Sequence, residues 1–330
     1  FDLERGPVVR ARLLRLSAEE HVLVFTVHHI ASDGWSTGVM IREVASLYEA
    51  FSLGQPSPLP ELPIQYVDYA VWQRQWLQGD VLKSQLSYWR EQLAGAPVLE
   101  VPTDRVRPAL QSFRGARHYI NLGEELSRGL RELSRAEGVT LYMVLLAGFQ
   151  ILLSRYSGQE DVVVGSPIAG RTRAELEPLI GFFVNTLVLR TDLSGEPTVR
   201  EVLRRVREVS LGGYGHQDVP FEQLVEELGV ERDLSRNPLF QVMFALQNAT
   251  PETFIRSGLN ISIVNIERPI AAFDLSLLLK DTTPGMECML EYSTDLFESE
   301  TIQRMMTHFQ RVLEWMVGNP RQKLSDLSLL

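Results

Sequence analysis

The chain has 330 residues, of which 45% are hydrophobic and 22% are charged, a composition that allows a large buried core. Its formal net charge of -10 argues against nucleic acid as a ligand, because a phosphate-binding surface needs a basic stripe. The single cysteine, Cys288, excludes an internal disulfide and a cysteine-based zinc cluster. No apolar run is long enough to cross a bilayer, and residues 1–7 lack the features of a signal peptide. We therefore expect a cytoplasmic protein cut from a longer chain, with no membrane partner.

The first part of the chain predicts two strands followed by two helical segments. Residues 8–16 and 21–27 have strand character, and the apolar, β-branched second run is typical of a strand buried on both faces. Residues 36–51 carry an apolar stripe at helical spacing. Residues 66–93 are again helical, with a break near Gly79.

The stretch 95–112 is rich in proline and has no periodic pattern, which makes it the best candidate for a domain boundary. Beyond it, Thr140 is placed to cap a helix that runs to about residue 156. Further strands are predicted at residues 118–122, 161–164, 182–190, 239–246, 259–266, 275–280 and 286–292, and further helices at residues 126–137, 199–211, 221–228 and 299–317. Because several strand pairs are local, we expect an α/β protein with a mixed (α+β) sheet and flanking helices.

The segment His-His-Ile-Ala-Ser-Asp-Gly at residues 28–34 is the strongest chemical feature of the sequence. A strand that ends in histidine gives the imidazole a rigid support, and imidazole exchanges protons near neutral pH. Successive strand residues face opposite ways, so only one of His28 and His29 can enter a given cavity. Asp33 could orient a histidine or brace the loop, and Gly34 allows a sharp turn and the close approach of a ligand.

Taken alone, this segment leaves two other interpretations open. Two histidines at the end of a buried strand could be satisfied core residues. The pattern also has some metal-ligand character, but a metal site requires more ligands than it supplies. The remaining histidines bring no obvious supporting cluster; they are His21, His118, His216 and His308.

Five motifs that follow one another along the chain resemble those of the condensation domains of nonribosomal peptide synthetases. They are His-His-Ile-Ala-Ser-Asp-Gly-Trp-Ser (28–36), Tyr-Val-Asp-Tyr-Ala-Val-Trp (66–72), Ile-Gly-Phe-Phe-Val-Asn-Thr (180–186), His-Gln-Asp-Val-Pro-Phe-Glu (216–222) and Arg-Asp-Leu-Ser-Arg-Asn-Pro-Leu (232–239). The first motif is most similar to that of domains that join two L-configured residues. Two further family motifs, which lie upstream of these, are missing.

The resemblance implies a fold similar to chloramphenicol acetyltransferase, in which two lobes form a V around a tunnel. Residues 1–112 would then be the remaining part of the amino-terminal lobe, and residues 113–320 the carboxy-terminal lobe. Residues 321–330 would begin the linker to an adenylation domain. The missing upstream part would leave the strand at residues 21–27 without sheet neighbours.

The activity implied by the resemblance is amide-bond formation between two thioester-bound substrates. An upstream peptidyl carrier domain would present the acyl or peptidyl group, and a downstream carrier domain the amine of an aminoacyl group. Both substrates would arrive on 4'-phosphopantetheine arms, and the domain itself would bind no cofactor and no metal.

The resemblance also gives roles to particular residues. His29 would lie in the tunnel and either accept the proton of the attacking amine or hold that amine in line. The N–H of Gly34 is a candidate donor to the oxyanion, and Asp33 resembles a structural aspartate that pairs with an arginine of the other lobe. The supporting residues are His28 on the structural side, Arg171 as the partner of Asp33, and Asn237 in the last motif.

Two rival functions stay open at this point. The chain could be a histidine-dependent acyltransferase of the same superfamily that uses a free alcohol or amine. It could instead be a platform that binds carrier or tailoring proteins without chemistry, although such a platform has no need to keep His29, Asp33 and Gly34 together. As a fragment, the chain could also be inactive because it is incomplete.

Overall fold

A computed structural model describes residues 1–230, 233–248, 253–256, 259–262, 264, 269–282 and 285–329. The chain divides into two compact units. The first unit comprises residues 1–81, 168–185 and 250–264, and the second comprises residues 82–167, 186–249 and 265–330. The lobes expected at residues 1–112 and 113–320 divide the chain differently and stay a prediction. The same holds for the linker at 321–330, whose last residue lies outside the described residues.

The first unit begins with an antiparallel pair of strands, β1 (Val9–Arg15) and β2 (His21–Val27). Among the described residues β2 pairs with β1 alone, and Leu23 is 47% exposed. The expectation that β2 is buried on both faces is therefore wrong for this chain, because a two-stranded sheet leaves both faces uncovered. Two helices follow, α1 (Gly34–Ser52) and α2 (Tyr66–Trp76).

A second segment of the first unit, residues 168–185, contains a 3-10 helix at Ala174–Leu176. A small apolar core connects this segment to the chain around the start of α2. It consists of the buried Leu176, Leu179 and Phe183 and the partly buried Leu62, Ile64, Tyr66 and Tyr69. The core thus fastens two stretches that lie far apart in the sequence.

The later strands are β3 (Gly115–Leu122), β4 (Asp161–Ile168), β5 (Asn185–Asp192), β6 (Val242–Asn248), β7 (Thr253–Arg256), β8 (Leu259–Ser262), β9 (Leu275–Asp281) and β10 (Met286–Ser293). β7 and β8 form a separate antiparallel pair. The other six form one sheet in the order β3-β10-β9-β6-β4-β5. β10 is antiparallel to β3 and β9, whereas β6 is parallel to β9 and β4. The sheet is therefore mixed, as predicted. Of the strand predicted at 259–266, residues 263 and 265–268 lie outside the described residues.

The later helices are α3 (Gly79–Leu93), α4 (Glu124–Ala136), α5 (Leu141–Ser157), α6 (Val199–Gly215), α7 (Phe221–Glu227) and α8 (Ser299–Gly318). The predicted break near Gly79 is confirmed, since α2 ends at Trp76 and α3 begins at Gly79. α5 is buried from Met143 to Leu153, which makes it the central helix of the second unit. Thr140 caps it as predicted, with Oγ1 accepting a hydrogen bond of 3.2 Å from the N–H of Met143.

The chain after α8 is attached to the second unit rather than extended away from it. The N–H of Leu324 donates to the carbonyl of Pro197 at 2.9 Å. Arg155, at the end of α5, donates to the carbonyls of Leu324 and Leu327, and the side chain of Leu327 is buried. The first residues of the expected linker therefore belong to the packed structure.

Within the described residues, no single helix is long and apolar enough to cross a membrane. α4 and α5 reach that length and composition only as a pair, and the pair is bent by 107°.

We expect Thr140→Ala to lower the free energy of unfolding by about 0.5–2 kcal/mol, because the N–H of Met143 loses its acceptor. The measurement is urea unfolding followed by circular dichroism. Thr140→Ser keeps a hydroxyl and is the matched control, with a loss of less than half as much. Equal stability of the Ala and Ser variants would show that the cap contributes nothing.

Candidate active site

The two neighbouring histidines lie just beyond β2, which ends at Val27. His28 is extended, with φ -70° and ψ 138°, and it caps a 3-10 helix at His29–Ala31. Its Nδ1 accepts a hydrogen bond of 3.1 Å from the N–H of Ile30, and its ring packs edge-on against Phe1 at 5.4 Å. His28 is therefore held by the turn itself, which fits the structural role predicted for it.

His29 makes a different set of contacts. Its Nδ1 lies 2.7 Å from the carbonyl oxygen of Ser32. Because a carbonyl only accepts, Nδ1 carries the hydrogen, and in the neutral ring the lone pair is on Nε2. The ring of Phe182 packs against the imidazole, with the ring centroids 5.1 Å apart and the planes at 81°. His28, by contrast, uses Nδ1 as an acceptor, so the two neutral rings hold opposite tautomers.

Asp33 is the N-cap of α1, and its carboxylate is buried. One oxygen accepts from the N–H of Ser36 at 2.8 Å, and the other accepts from the N–H of Phe183 at 3.0 Å. Arg171 completes the set, with Nη2 3.3 Å from Oδ1. The carboxylate thus joins the start of α1 to the 168–185 segment. These contacts fit a brace rather than a proton relay, since His29 binds the Ser32 carbonyl instead.

The side chain of Arg171 is only 1% exposed and that of Asp33 only 3%. Burial lowers the pKa of the Arg171 guanidinium from its ordinary value, and the Asp33 carboxylate opposes that shift. Nη2 also donates to the carbonyl of Leu179 at 3.1 Å, and the guanidinium lies over the ring of Phe183 at 4.1 Å. Ring contact partly replaces the water that the cation has lost. The pairing of Asp33 with Arg171 was expected from the sequence.

Ser36 is a site residue that the sequence motif contained but to which we assigned no role. Its fully buried hydroxyl donates to the carbonyl of Gly181 at 2.9 Å. The same oxygen accepts from the N–H of Gly181 at 3.1 Å and from Arg171 at 2.9 Å. One hydroxyl therefore fixes both backbone groups of Gly181.

The segment around Gly181 corrects one prediction. Residues 182–190 were expected to form a strand, but β5 begins only at Asn185. The carbonyl of Phe182 accepts from the Tyr66 hydroxyl at 2.8 Å, and the N–H of Phe183 donates to Asp33. These backbone groups are bound by side chains and cannot join a strand ladder.

Gly34 is the first residue of α1. It is absent from the glycines with positive φ, and the residue before it, Asp33, is extended, with φ -127° and ψ -175°. A Cβ built on Gly34 would meet no atom within 4 Å. The N–H of Gly34 belongs to the first helical turn, whose N–H groups have no acceptor within the helix.

Asn237 lies in the second unit. Its Nδ2 donates to the carbonyl of Ala272 at 2.8 Å, and its own carbonyl accepts from Gln241 at 3.1 Å. The first bond ties the loop before β6 to the chain before β9, and the second lies within that loop, so both are structural. Arg232, a residue at the start of the same motif, lies outside the described residues.

A metal interpretation finds no support in the part of the chain that the structure describes. No group of three or more histidine, cysteine, aspartate or glutamate side chains there is arranged to hold a metal ion. The chemistry available around His29 is therefore that of an imidazole lone pair, a helix N-terminus and a buried ion pair.

Comparison with known proteins gives a consistent result. The condensation-domain family model matches residues 1–330. A linear gramicidin synthase of Brevibacillus parabrevis is 52% identical over 333 residues, which cover 100% of this chain and 6% of that protein. Malpinin synthetase of Mortierella alpina is 49% identical over 331 residues, which cover 100% of this chain and 4% of that protein. The chain thus spans a small part of the length of these relatives.

Solved structures agree with the sequence comparison. The X-domain in its complex with OxyB from teicoplanin biosynthesis superposes with a TM-score of 0.90 at 33% identity, covering 100% of this chain and 74% of that one. A four-domain nonribosomal peptide synthetase bound to AMP and glycine superposes with a TM-score of 0.89 at 28% identity, covering 100% of this chain and 26% of that one. These likenesses confirm the expected fold class, a mixed α/β fold of the chloramphenicol acetyltransferase type.

We expect Asp33→Asn to lower the free energy of unfolding by about 3–5 kcal/mol, because the change leaves the buried Arg171 cation without its counter-charge. Urea unfolding monitored by tryptophan fluorescence measures the loss. Glu208→Gln is the matched control: it breaks an ion pair with Arg204 whose side chains are 59% and 61% exposed, and it should cost at most about 1 kcal/mol. If Asp33→Asn lowered the free energy of unfolding by no more than the control does, the bracing role of Asp33 would be contradicted.

Proposed function

The chain belongs to the condensation-domain family, and on that premise we propose that it forms amide bonds in nonribosomal peptide synthesis. The nitrogen of an aminoacyl group on a downstream carrier attacks the carbonyl carbon of an acyl or peptidyl thioester on an upstream carrier. A C–N bond forms, the C–S bond breaks, and the pantetheine sulfur leaves with the electron pair. The amine gives up one proton, and the sulfur takes one up to become a thiol.

The observation that carries this proposal is the tautomer of His29, that is, which of its ring nitrogens carries the hydrogen. Nδ1 is bound to the Ser32 carbonyl, so the neutral ring presents the Nε2 lone pair to an incoming N–H. We infer that Nε2 accepts a hydrogen bond from the attacking amine and so aligns its lone pair with the thioester carbonyl. Full transfer of that proton to His29, followed by its return to the leaving sulfur, uses the same atom and the same geometry.

The N-terminus of α1, which follows His29 in the chain, supports the stabilisation of the oxyanion. The amine's attack places negative charge on the former carbonyl oxygen, and an N–H at a helix N-terminus is suited to bind it. We propose that the N–H of Gly34 is this donor, because Gly34 begins α1 and a Cβ built on it would meet no atom of the described residues within 4 Å beyond its two chain neighbours and its own helix backbone. Asp33, His28 and Arg171 then hold the donor and the base in place without touching the substrate.

The partners we propose are an upstream and a downstream peptidyl carrier domain and an adjacent adenylation domain. The relatives at 49–52% identity are synthetases of which this chain covers 4–6%, which supports a place within a multidomain protein. The substrates would be carried on 4'-phosphopantetheine arms, and the domain itself would bind no cofactor. We also propose that both joined residues have the L configuration, since Asp33-Gly34-Trp35-Ser36 matches that subtype.

A second function is a binding platform without chemistry, and one observation favours it. The X-domain, a close structural match, was solved in complex with OxyB. Against the platform stands the arrangement of His29, whose tautomer and ring contact would be needless in a protein that only binds others.

We expect His29→Ala to lower product formation about 100-fold or more in the synthetase that carries this chain, since general base or positioning contributions reach that size. The product is measured by mass spectrometry after donor-loaded and acceptor-loaded carriers are mixed. His21→Ala, which removes an exposed histidine at the other end of β2, is the matched control and should keep the wild-type rate. Undiminished turnover by the His29 variant would refute the catalytic assignment. The binding platform without chemistry would then be the function to test.

We expect Gly34→Pro to lower the condensation rate by about 100-fold or more, which is typical for the loss of one oxyanion donor. Proline is well tolerated at the first position of a helix, and the extended Asp33 suits a residue before proline, so α1 should survive while the N–H is lost. Gly34→Ala keeps the N–H and is the control. Equal rates for the Pro and Ala variants would exclude this N–H as the donor.

A further inference from the structure

The ring of Phe182 is the one aromatic group that contacts His29 in the described structure, and it is half-buried. We propose that Phe182 is a positioning residue: its ring sets the direction in which the Nε2 of His29 points, and the Tyr66 hydroxyl holds Phe182 in place for that purpose. This inference rests on the function proposed above for His29.

The backbone on both sides of Phe182 is fixed by side chains. Before it, the N–H and the carbonyl of Gly181 are both bound to the Ser36 hydroxyl. After it, the carbonyl of Phe182 and the N–H of Phe183 belong to one peptide group. That group accepts from the Tyr66 hydroxyl at 2.8 Å and donates to Asp33 at 3.0 Å. Two fixed peptide planes determine φ and ψ of the residue between them, and therefore the direction of its Cβ.

Tyr66 is itself rigidly placed. It is the first residue of α2, where Gln65 and Asp68 form a capping box. Its ring packs edge-on against Phe183 at 5.0 Å and lies so close to Gly181 that a Cβ there would come within 2.2 Å of Cδ2. Burial raises the pKa of the Tyr66 phenol above its ordinary value, so the hydroxyl keeps its proton and stays a donor at neutral pH.

The packing of Phe182 against the imidazole of His29 is a second constraint, which the ring needs in addition to its hydrogen bond. The hydrogen bond from Nδ1 to Ser32 fixes one corner of the ring but leaves the opposite corner, Nε2, free to swing. A ring packed at 81° with a centroid distance of 5.1 Å is a favoured aromatic geometry and restricts that swing. Phe182 therefore acts through His29 and touches none of the reacting atoms.

The experiment measures condensation in the synthetase that carries this chain, as a function of the concentration of the loaded acceptor carrier. Phe182→Leu keeps an apolar side chain but removes the ring, and we expect kcat to fall about 10-fold or more with KM within about twofold, since misplacement of a reacting group affects the chemical step. Phe182→Tyr restores the ring and should recover kcat to within about threefold of wild type. Tyr66→Phe removes only the hydroxyl and should lower kcat several-fold, whereas Tyr48→Phe, on the exposed face of α1, should not.

The variant pair His29→Ala and His29→Ala/Phe182→Leu decides whether Phe182 acts through His29. Residues that act as a unit are not additive, so the double variant should retain the residual rate of His29→Ala. A further fall of about 10-fold in the double variant, or a change confined to KM, would overturn the inference. If Phe182→Leu does not fold, the comparison of Tyr66→Phe with and without His29→Ala gives the same decision. The His29→Ala variant by itself tests the proposed function. A failure of the proposed function is therefore distinguishable from a failure of the inference about Phe182.

Discussion

The carboxylate of Asp33 is the constraint on which the rest of the candidate site depends. It binds the first turn of α1, the peptide group before Phe183 and the cation of Arg171, all out of contact with solvent. Among the described residues, Nε and Nη1 of Arg171 have no hydrogen-bond partner, so the contacts of Nη2 with Asp33, Ser36 and Leu179, together with two aromatic rings, compensate for burying that charge. Removing the carboxylate would take a contact from the helix start and from the 168–185 segment at the same time.

Two adjacent histidines suggest two copies of one function, but the hydrogen bonds of His28 and His29 show that the two rings have different roles. His28 receives a backbone N–H on Nδ1, whereas His29 gives a hydrogen from Nδ1 to a backbone carbonyl. A turn of only three residues therefore produces one ring with its lone pair used by the protein and one ring with its lone pair available to a ligand. A local backbone carbonyl, and not a charged neighbour, determines the tautomer of His29.

The sequence pattern was sufficient for the mixed sheet and the cap at Thr140, and the family resemblance for the pairing of Asp33 with Arg171. It failed where distant residues act on the backbone. Phe182 and Phe183 look like strand residues because they are apolar, but Tyr66 and Asp33, 116 and 150 positions away, occupy the peptide group between them. The exposure of β2 was likewise invisible in its composition, since burial depends on how many strands lie beside it.

The attachment of the chain after α8 bears on where a different sequence can be joined behind this chain. A junction placed at Pro320, just after α8, would supply from a foreign chain the N–H that Leu324 gives to Pro197 and the two carbonyls that bind Arg155. It would also replace the buried Leu327. Chimeras that keep this segment with its own α5 and α6 preserve these contacts, so the earliest sound crossover point lies after Leu327 rather than at Pro320.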